Sequence, residues 1–233
     1  AAACGGTYYG PAENLETEVS GIAIDSRKIE TNWLFAATVG ERVDGHSFIE
    51  SCYEKGALCC LGEKEYAYDG HSYIQVASTF QALKDIAEYY RSTLEIPVVG
   101  ITGSVGKTST KEMIASVLGV KFNTLKTAGN FNNEVGLPLT VFNIRDEHEA
   151  AVLEMGISDF GEMHRLSKVA RPNICIITNI GFCHLEFLGD RDGVLRAKSE
   201  IFDFAAEDAK AIVNGDDDKL RTLKSREDLN VTF

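Results

Sequence analysis

The sequence predicts an α/β protein: a small N-terminal α/β domain over residues 1–95, then a P-loop-type, doubly wound and mostly parallel sheet over residues 96–233. Two observations carry the second part. From Pro97 onward, solidly apolar runs alternate with amphipathic stretches of helical spacing, and one strand-to-helix junction is the glycine loop Thr102-Gly-Ser-Val-Gly-Lys-Thr-Ser109. Strands that are apolar throughout belong to a sheet covered on both faces. A third observation sets the boundary, because Leu94-Glu-Ile-Pro97 follows the end of an amphipathic helix. With 233 residues, 44% of them hydrophobic, the chain is long enough for two ordinary domains.

In the first domain, short runs at 21–25, 34–38, 57–61 and 73–76 read as strands, and 47–55 and 79–93 as helices. Phe80, Leu83, Ile86, Ala87 and Tyr90 share one face of the second helix, and Thr79 is placed to cap it. In the second domain, strands are expected at 98–102, 122–125, 151–155, 174–179 and 211–214, with helices at 107–118, 160–169 and 192–205. Ligands of such a sheet gather at the carboxyl ends of its strands. That rule selects Glu154 and the segments 179–186 and 214–218.

The glycine loop is built for phosphate. Gly103 and Gly106 permit a tight turn whose amides converge on anionic oxygens, and the helix that follows adds unpaired amides and the positive end of its dipole. Lys107 supplies a mobile cation, and the Thr108 hydroxyl can ligate magnesium. The loop departs from the common pattern in one place, with Ile101 where a first glycine is usual. Glu154 ends an apolar run, and an acid so embedded needs a partner, as a magnesium ligand would be. His184 follows another strand, where a histidine serves either as a loop hydrogen-bonder or to complete a metal shell. The amides between Gly129 and Pro138, Asn130 and Asn133 among them, can hold a phosphate or carboxylate or cap a helix.

A net charge of −12 argues against nucleic-acid or acidic-membrane partners, which need clustered lysine and arginine. The six cysteines form no CxxC pair, and Cys59, Cys60 and Cys175 lie inside apolar runs, as reduced, packed thiols of a cytoplasmic protein do. No apolar stretch approaches the roughly 20 residues that cross a bilayer, and the N-terminus lacks the features of a signal peptide. Neither membrane insertion nor export is expected.

Taken together, the segments 25–27, 40–49, 56–57, 101–112, 129–138, 153–156, 161–162, 178–186, 197–201 and 214–217 resemble those of one family, the Mur ligases of peptidoglycan synthesis. The Lys111-Glu112 pair and the asparagine-rich segment favour the dipeptide-adding member over the one that adds the third peptide residue. The resemblance implies transfer of the γ-phosphoryl of ATP to the carboxylate of a UDP-linked muramoyl peptide. The resulting acyl phosphate is then attacked by the amine of D-alanyl-D-alanine.

Carried over, residues 102–109 (Thr102, Gly103, Ser104, Val105, Gly106, Lys107, Thr108 and Ser109) bind ATP, and Lys107 contacts its β- and γ-phosphates. Thr108 and Glu154 hold a first magnesium, and His184 serves a second. A carbamylated Lys198 supports the metal site. Asn130 and Asn133 lie near the phosphates or the reacting carboxylate, and Lys107, His184, Lys198 and Asn133 form the catalytic set. Asn214 and Asp216 edge the nucleotide site. Ser26, Arg27, Gly45 and His46 cradle the UDP, for which Arg27 offers a planar donor fork.

Smaller departures are Cys183 and Asp190, where alanine and serine are more common in the family. Family members have three domains, whereas this chain begins inside a first helix and stops while the central sheet is still being built. A fragment lacking the C-terminal domain is expected, inactive alone and monomeric. The alternatives are the ligase adding the third residue, or a nucleotide-binding fragment without activity of its own.

Overall fold

The computed structural model describes residues 1–66 and 70–233. Its contacts divide the chain into two compact units, Ala1–Tyr89 and Tyr90–Phe233. The division falls a few residues before the 94–97 boundary, inside the helix α2 (Thr79–Ser92), which ends one residue short of its expected limit.

The first unit is a five-stranded sheet ordered β1-β5-β4-β3-β2, with β1 (Thr7–Tyr9), β2 (Gly21–Ala23), β3 (Trp33–Ala36), β4 (Cys59–Gly62) and β5 (Ser72–Gln75). Only the β1–β5 pair is antiparallel. β1 was not among the expected strands; its Thr-Tyr-Tyr run is too short and too exposed to show a pattern. The expected helix at 47–55 divides into a 3-10 turn at Gly45–Phe48 and α1 (Ile49–Glu54). The Asp44 side chain accepts from the His46 amide and so starts that turn. Phe35, Ile49, Cys52, Tyr53, Cys60 and Tyr73 pack into one core. The six cysteines are free thiols, and burial pushes those of Cys59 and Cys175 up to about 12.

The second unit is a six-stranded, all-parallel sheet ordered β11-β10-β9-β6-β8-β7. Its elements are β6 (Val98–Thr102), α3 (Lys107–Leu118), β7 (Thr124–Lys126), α4 (Gly136–Val141), β8 (Ala150–Glu154), α5 (Glu162–Ala170), β9 (Ile174–Ile177), α6 (Leu185–Leu188), α7 (Arg191–Ser199), β10 (Lys210–Val213) and β11 (Asn230–Thr232). After β6 the chain crosses to the edge strand β7, comes back to β8 beside β6, and then passes to the other side of β6 for β9, β10 and β11. The carboxyl end of β6 is therefore the switch point where such sheets bind ligands. Val99, Ile101, Ala115 and Val152 form a core beneath α3. The expected helix at 192–205 ends early at Ser199 and closes in a 3-10 turn at Glu200–Phe202.

Candidate nucleotide and metal site

At the switch point, β6 ends in the buried Thr102, and the loop that follows is clasped by the exit of β9. The Thr178 amide donates to the Thr102 carbonyl (3.0 Å), and the Thr178 hydroxyl donates to the Val105 carbonyl (2.6 Å). The amides of Ser104 and Val105 both donate to Asn179 Oδ1 (3.0 Å each), and the Gly181 amide donates to Ser104 Oγ (2.8 Å). Gly103 is what lets the two segments approach. Its φ is +146°, and a Cβ there would lie 1.9 Å from Thr178 Oγ1. Thr178 and Asn179, which shape the loop, fall in the 178–186 segment that the sequence singles out, where neither had a role of its own. Their position at a strand's carboxyl end was the signal available.

Gly106, in the left-handed region at φ +82°, turns the chain into α3. Thr110 donates the first helical hydrogen bond, to Gly106 (2.9 Å). The amides of Gly106, Lys107, Thr108 and Ser109 therefore have no backbone partner among the described residues, which is the arrangement that receives an anion. Lys107 Nζ curls across the loop to the Gly103 carbonyl (2.9 Å).

Glu154, the last residue of β8, is 2% exposed. The Thr108 hydroxyl lies 3.0 Å from its Oε2, Asn132 Nδ2 donates to its Oε1 (2.9 Å), and Lys111 Nζ stands 3.6 Å from Oε2. Among the described residues, no group of three or more His, Cys, Asp or Glu is placed to hold a metal. A lone carboxylate beside a hydroxyl, with open amides ahead of it, nevertheless suits magnesium. That ion takes one or two protein oxygens and fills its octahedron with water and phosphate.

The asparagine segment divides its labour between capping a helix and reaching the acid. Asn133 Oδ1 accepts from the amides of Val135 (3.2 Å) and Gly136 (2.8 Å), capping the turn into α4. Asn132, which the sequence reading passed over, is the amide that reaches the acid. The Asn130 side chain is exposed and without a partner among the described residues. His184 heads α6 with φ +52°, exposed, its ring likewise unpartnered among the described residues. Lys198, on α7, is 1% exposed and has no ion pair among the described residues. Burial lowers its pKa to about 8, the Lys107 charge pushes the same way, and Cys183 opposes them. Asn214 Oδ1 accepts from the Asp216 amide (3.0 Å), while the Asp216 side chain is exposed. Its neighbour Asp217 ties the exits of β9 and β10 together by accepting from the amides of Ile180 (2.7 Å) and Lys219 (2.9 Å).

The remaining expected residues lie in the first unit. Arg27 spends its fork on Asp25 (Nε 2.9 Å, Nη2 2.8 Å) and holds that carboxyl well below the usual carboxylate range. The Ser26 carbonyl accepts from Lys55 Nζ (2.7 Å). Gly45 is buried so closely that a Cβ would meet the Thr38 carbonyl oxygen at 2.7 Å. His46 Nδ1 lies 2.6 Å from Asp44 Oδ1, and Nε2 accepts from the amides of Glu63 (2.9 Å) and Lys64 (3.3 Å). An amide can only donate, so the ring proton is on Nδ1. Both nitrogens are thus engaged, and His46 is a strut between its loop and the exit of β4.

A parallel sheet with a glycine loop at its switch point, headed by Lys107-Thr108 and faced by a buried acid, defines a P-loop α/β protein. Residues 101–233 match the Mur ligase middle domain, and residues 18–99 match the Mur ligase family, catalytic domain; the chain belongs to the Mur ligase family. It is 44% identical over 222 residues to UDP-N-acetylmuramoyl-tripeptide–D-alanyl-D-alanine ligase of Bacillus subtilis, covering 94% of this chain and 48% of that one. Among solved structures, MurF from Acinetobacter baumannii superposes with a TM-score of 0.88 at 35% identity, over 99% of this chain and 51% of that one. The MurF ligase from Thermotoga maritima in complex with ADP gives 0.84 at 34% identity, over 93% and 51%. The chain spans about half the length of the curated relatives it matches.

Proposed function

We propose that this chain is the UDP-substrate-binding domain (1–95) and central ATP-binding domain (96–233) of an ATP-dependent ligase. It joins D-alanyl-D-alanine to the terminal carboxylate of UDP-N-acetylmuramoyl-tripeptide. The observation that carries the reading is the Thr108–Glu154 pair beside the open amides of 106–109, in a chain 44% identical to a ligase named for that reaction. The protein acts as a cytoplasmic monomer. No helix among the described residues is long and apolar enough to cross a membrane.

The amides of 106–109 and Lys107 bind the outer phosphates of ATP and offset charge as the γ-phosphoryl moves to the substrate carboxylate, giving ADP and an acyl phosphate. The dipeptide amine then attacks the acyl carbon, forming the amide and releasing phosphate and a proton. Thr108 and Glu154 would hold one magnesium, with Asn132 fixing the acid; His184 and Lys198 would serve a second. Magnesium supplies charge neutralisation and alignment of the phosphates. Burial keeps part of the Lys198 amine neutral near pH 8, and only the neutral amine adds carbon dioxide, so Lys198 is suited to carbamylation. The carbamate would turn a buried cation into an anion. Ser26, Arg27 and the backbone at Gly45 receive the UDP, with Arg27 exchanging Asp25 for the diphosphate.

Incubating the full-length protein with ATP, magnesium, UDP-muramoyl-tripeptide and D-alanyl-D-alanine should release phosphate only when the dipeptide is present. Release indifferent to the dipeptide would refute the assignment.

A further inference from the structure

Lys111 is an unusual lysine. It lies one helical turn beyond Lys107 on α3, with its side chain only 2% exposed, and a buried ammonium is retained only where charge compensates it. Its compensation is a short row of alternating charge. Nζ stands 3.2 Å from Glu112 Oε1 and 3.6 Å from Glu154 Oε2, and the other oxygen of Glu112 is paired with Lys126. Two lysines and two glutamates thus sum to zero before any divalent ion arrives. The 3.6 Å separation neutralises Glu154 without occupying it through a hydrogen bond, and Thr108 and Asn132 fill the hydrogen-bonding places instead.

We infer that Lys111 is a resident counter-cation for Glu154, a positioning residue that makes the metal site depend on nucleotide. The inference rests on the proposed magnesium–nucleotide reading of this loop. With Lys111 in place the pocket has no surplus negative charge, so a bare divalent cation gains little by entering and is repelled by the ammonium. A cation that arrives with phosphates brings its own anions and is accepted. Removing the ammonium should open Glu154 to free metal and reduce the cooperativity between metal and nucleotide, which linkage makes reciprocal.

The test titrates Mn2+, followed by electron paramagnetic resonance, into the protein with and without ADP. Wild type should bind Mn2+ weakly alone and more tightly with ADP. Lys111→Met, which keeps the apolar stem, should bind Mn2+ alone about tenfold more tightly or better, the scale on which one neighbouring charge moves an ionisation equilibrium. Lys111→Arg should behave as wild type. Because Lys111 is buried, Glu112→Gln gives a second arm at a half-exposed position. It leaves the ammonium less offset, so free Mn2+ should bind several-fold more weakly. Wild-type Mn2+ affinity in Lys111→Met, or in a Glu112→Gln protein where Lys111→Met does not fold, overturns the inference alone. A wild-type protein that binds no Mn2+ even with ADP overturns the nucleotide reading, and this inference with it.

Discussion

Replacing Gly103 by alanine tests whether the exit of β9 sets the shape of the phosphate loop. The new Cβ would sit 1.9 Å from Thr178 Oγ1, at a φ of +146° that L side chains rarely adopt. Backbone strain of this kind costs about 1–3 kcal/mol. Relief by moving Thr178 sacrifices its 2.6 Å bond to the Val105 carbonyl, a further ~0.5–1.5 kcal/mol. A loss of about 2–4 kcal/mol in urea unfolding is expected on these two grounds. If about 1.4 kcal/mol of that is relieved by displacing the loop, ADP affinity falls about tenfold. A double-mutant cycle separates clash from strain, because in a Thr178→Ala background the obstructing hydroxyl is gone. Gly103→Ala should then cost about 1 kcal/mol less than in wild type. Additive effects within about 0.5 kcal/mol, or an unchanged ADP affinity in the single variant, would refute the reasoning.

Lys198 has a pKa of about 8 in the folded chain against 10.5 as the ordinary value, so between those pH values the unfolded state binds more protons and stability rises with pH. In bicarbonate-free buffer, wild type should gain about 1–2 kcal/mol on Lys198→Met between pH 7.5 and 9.5 in thermal melts. The buried thiols act in the opposite direction but equally in both proteins, so they cancel in the difference. His46→Ala should cost about 1–3 kcal/mol in chemical unfolding, because the amides of Glu63 and Lys64 lose their acceptor. A cost under about 0.5 kcal/mol would deny its role as a strut.

Residues whose chemistry is local to the chain were readable from sequence alone. Gly103, Gly106, Lys107 and Thr108 announce themselves because a strand, a tight turn and a helix follow one another. Glu154 does so because an acid in an apolar run is an anomaly. Hidden from that reading were roles set by register between distant segments. Which of the neighbouring Asn132 and Asn133 turns toward Glu154 depends on a loop packed over β8. The burial of Lys111 appears only when α3 is laid against the sheet. Thr178 and Asn179 acquire meaning only because β9 pairs with β6. The partners of both His46 ring nitrogens, Asp44 on one side and the exit of β4 on the other, likewise depend on the fold. Short elements such as β1 and β11 contain too few residues to show a period at all.

Glu154, with Thr108 and the open amides of the loop, forms the proposed magnesium–nucleotide site. Calorimetric titration of ADP with and without magnesium, on wild type and Glu154→Gln, tests it most directly. The glutamine keeps an oxygen to accept from Asn132 and offers Thr108 an amide donor in place of an acceptor, without the charge. Magnesium should tighten ADP binding by wild type and leave the variant's affinity unchanged. A variant that keeps the full magnesium enhancement would contradict the account.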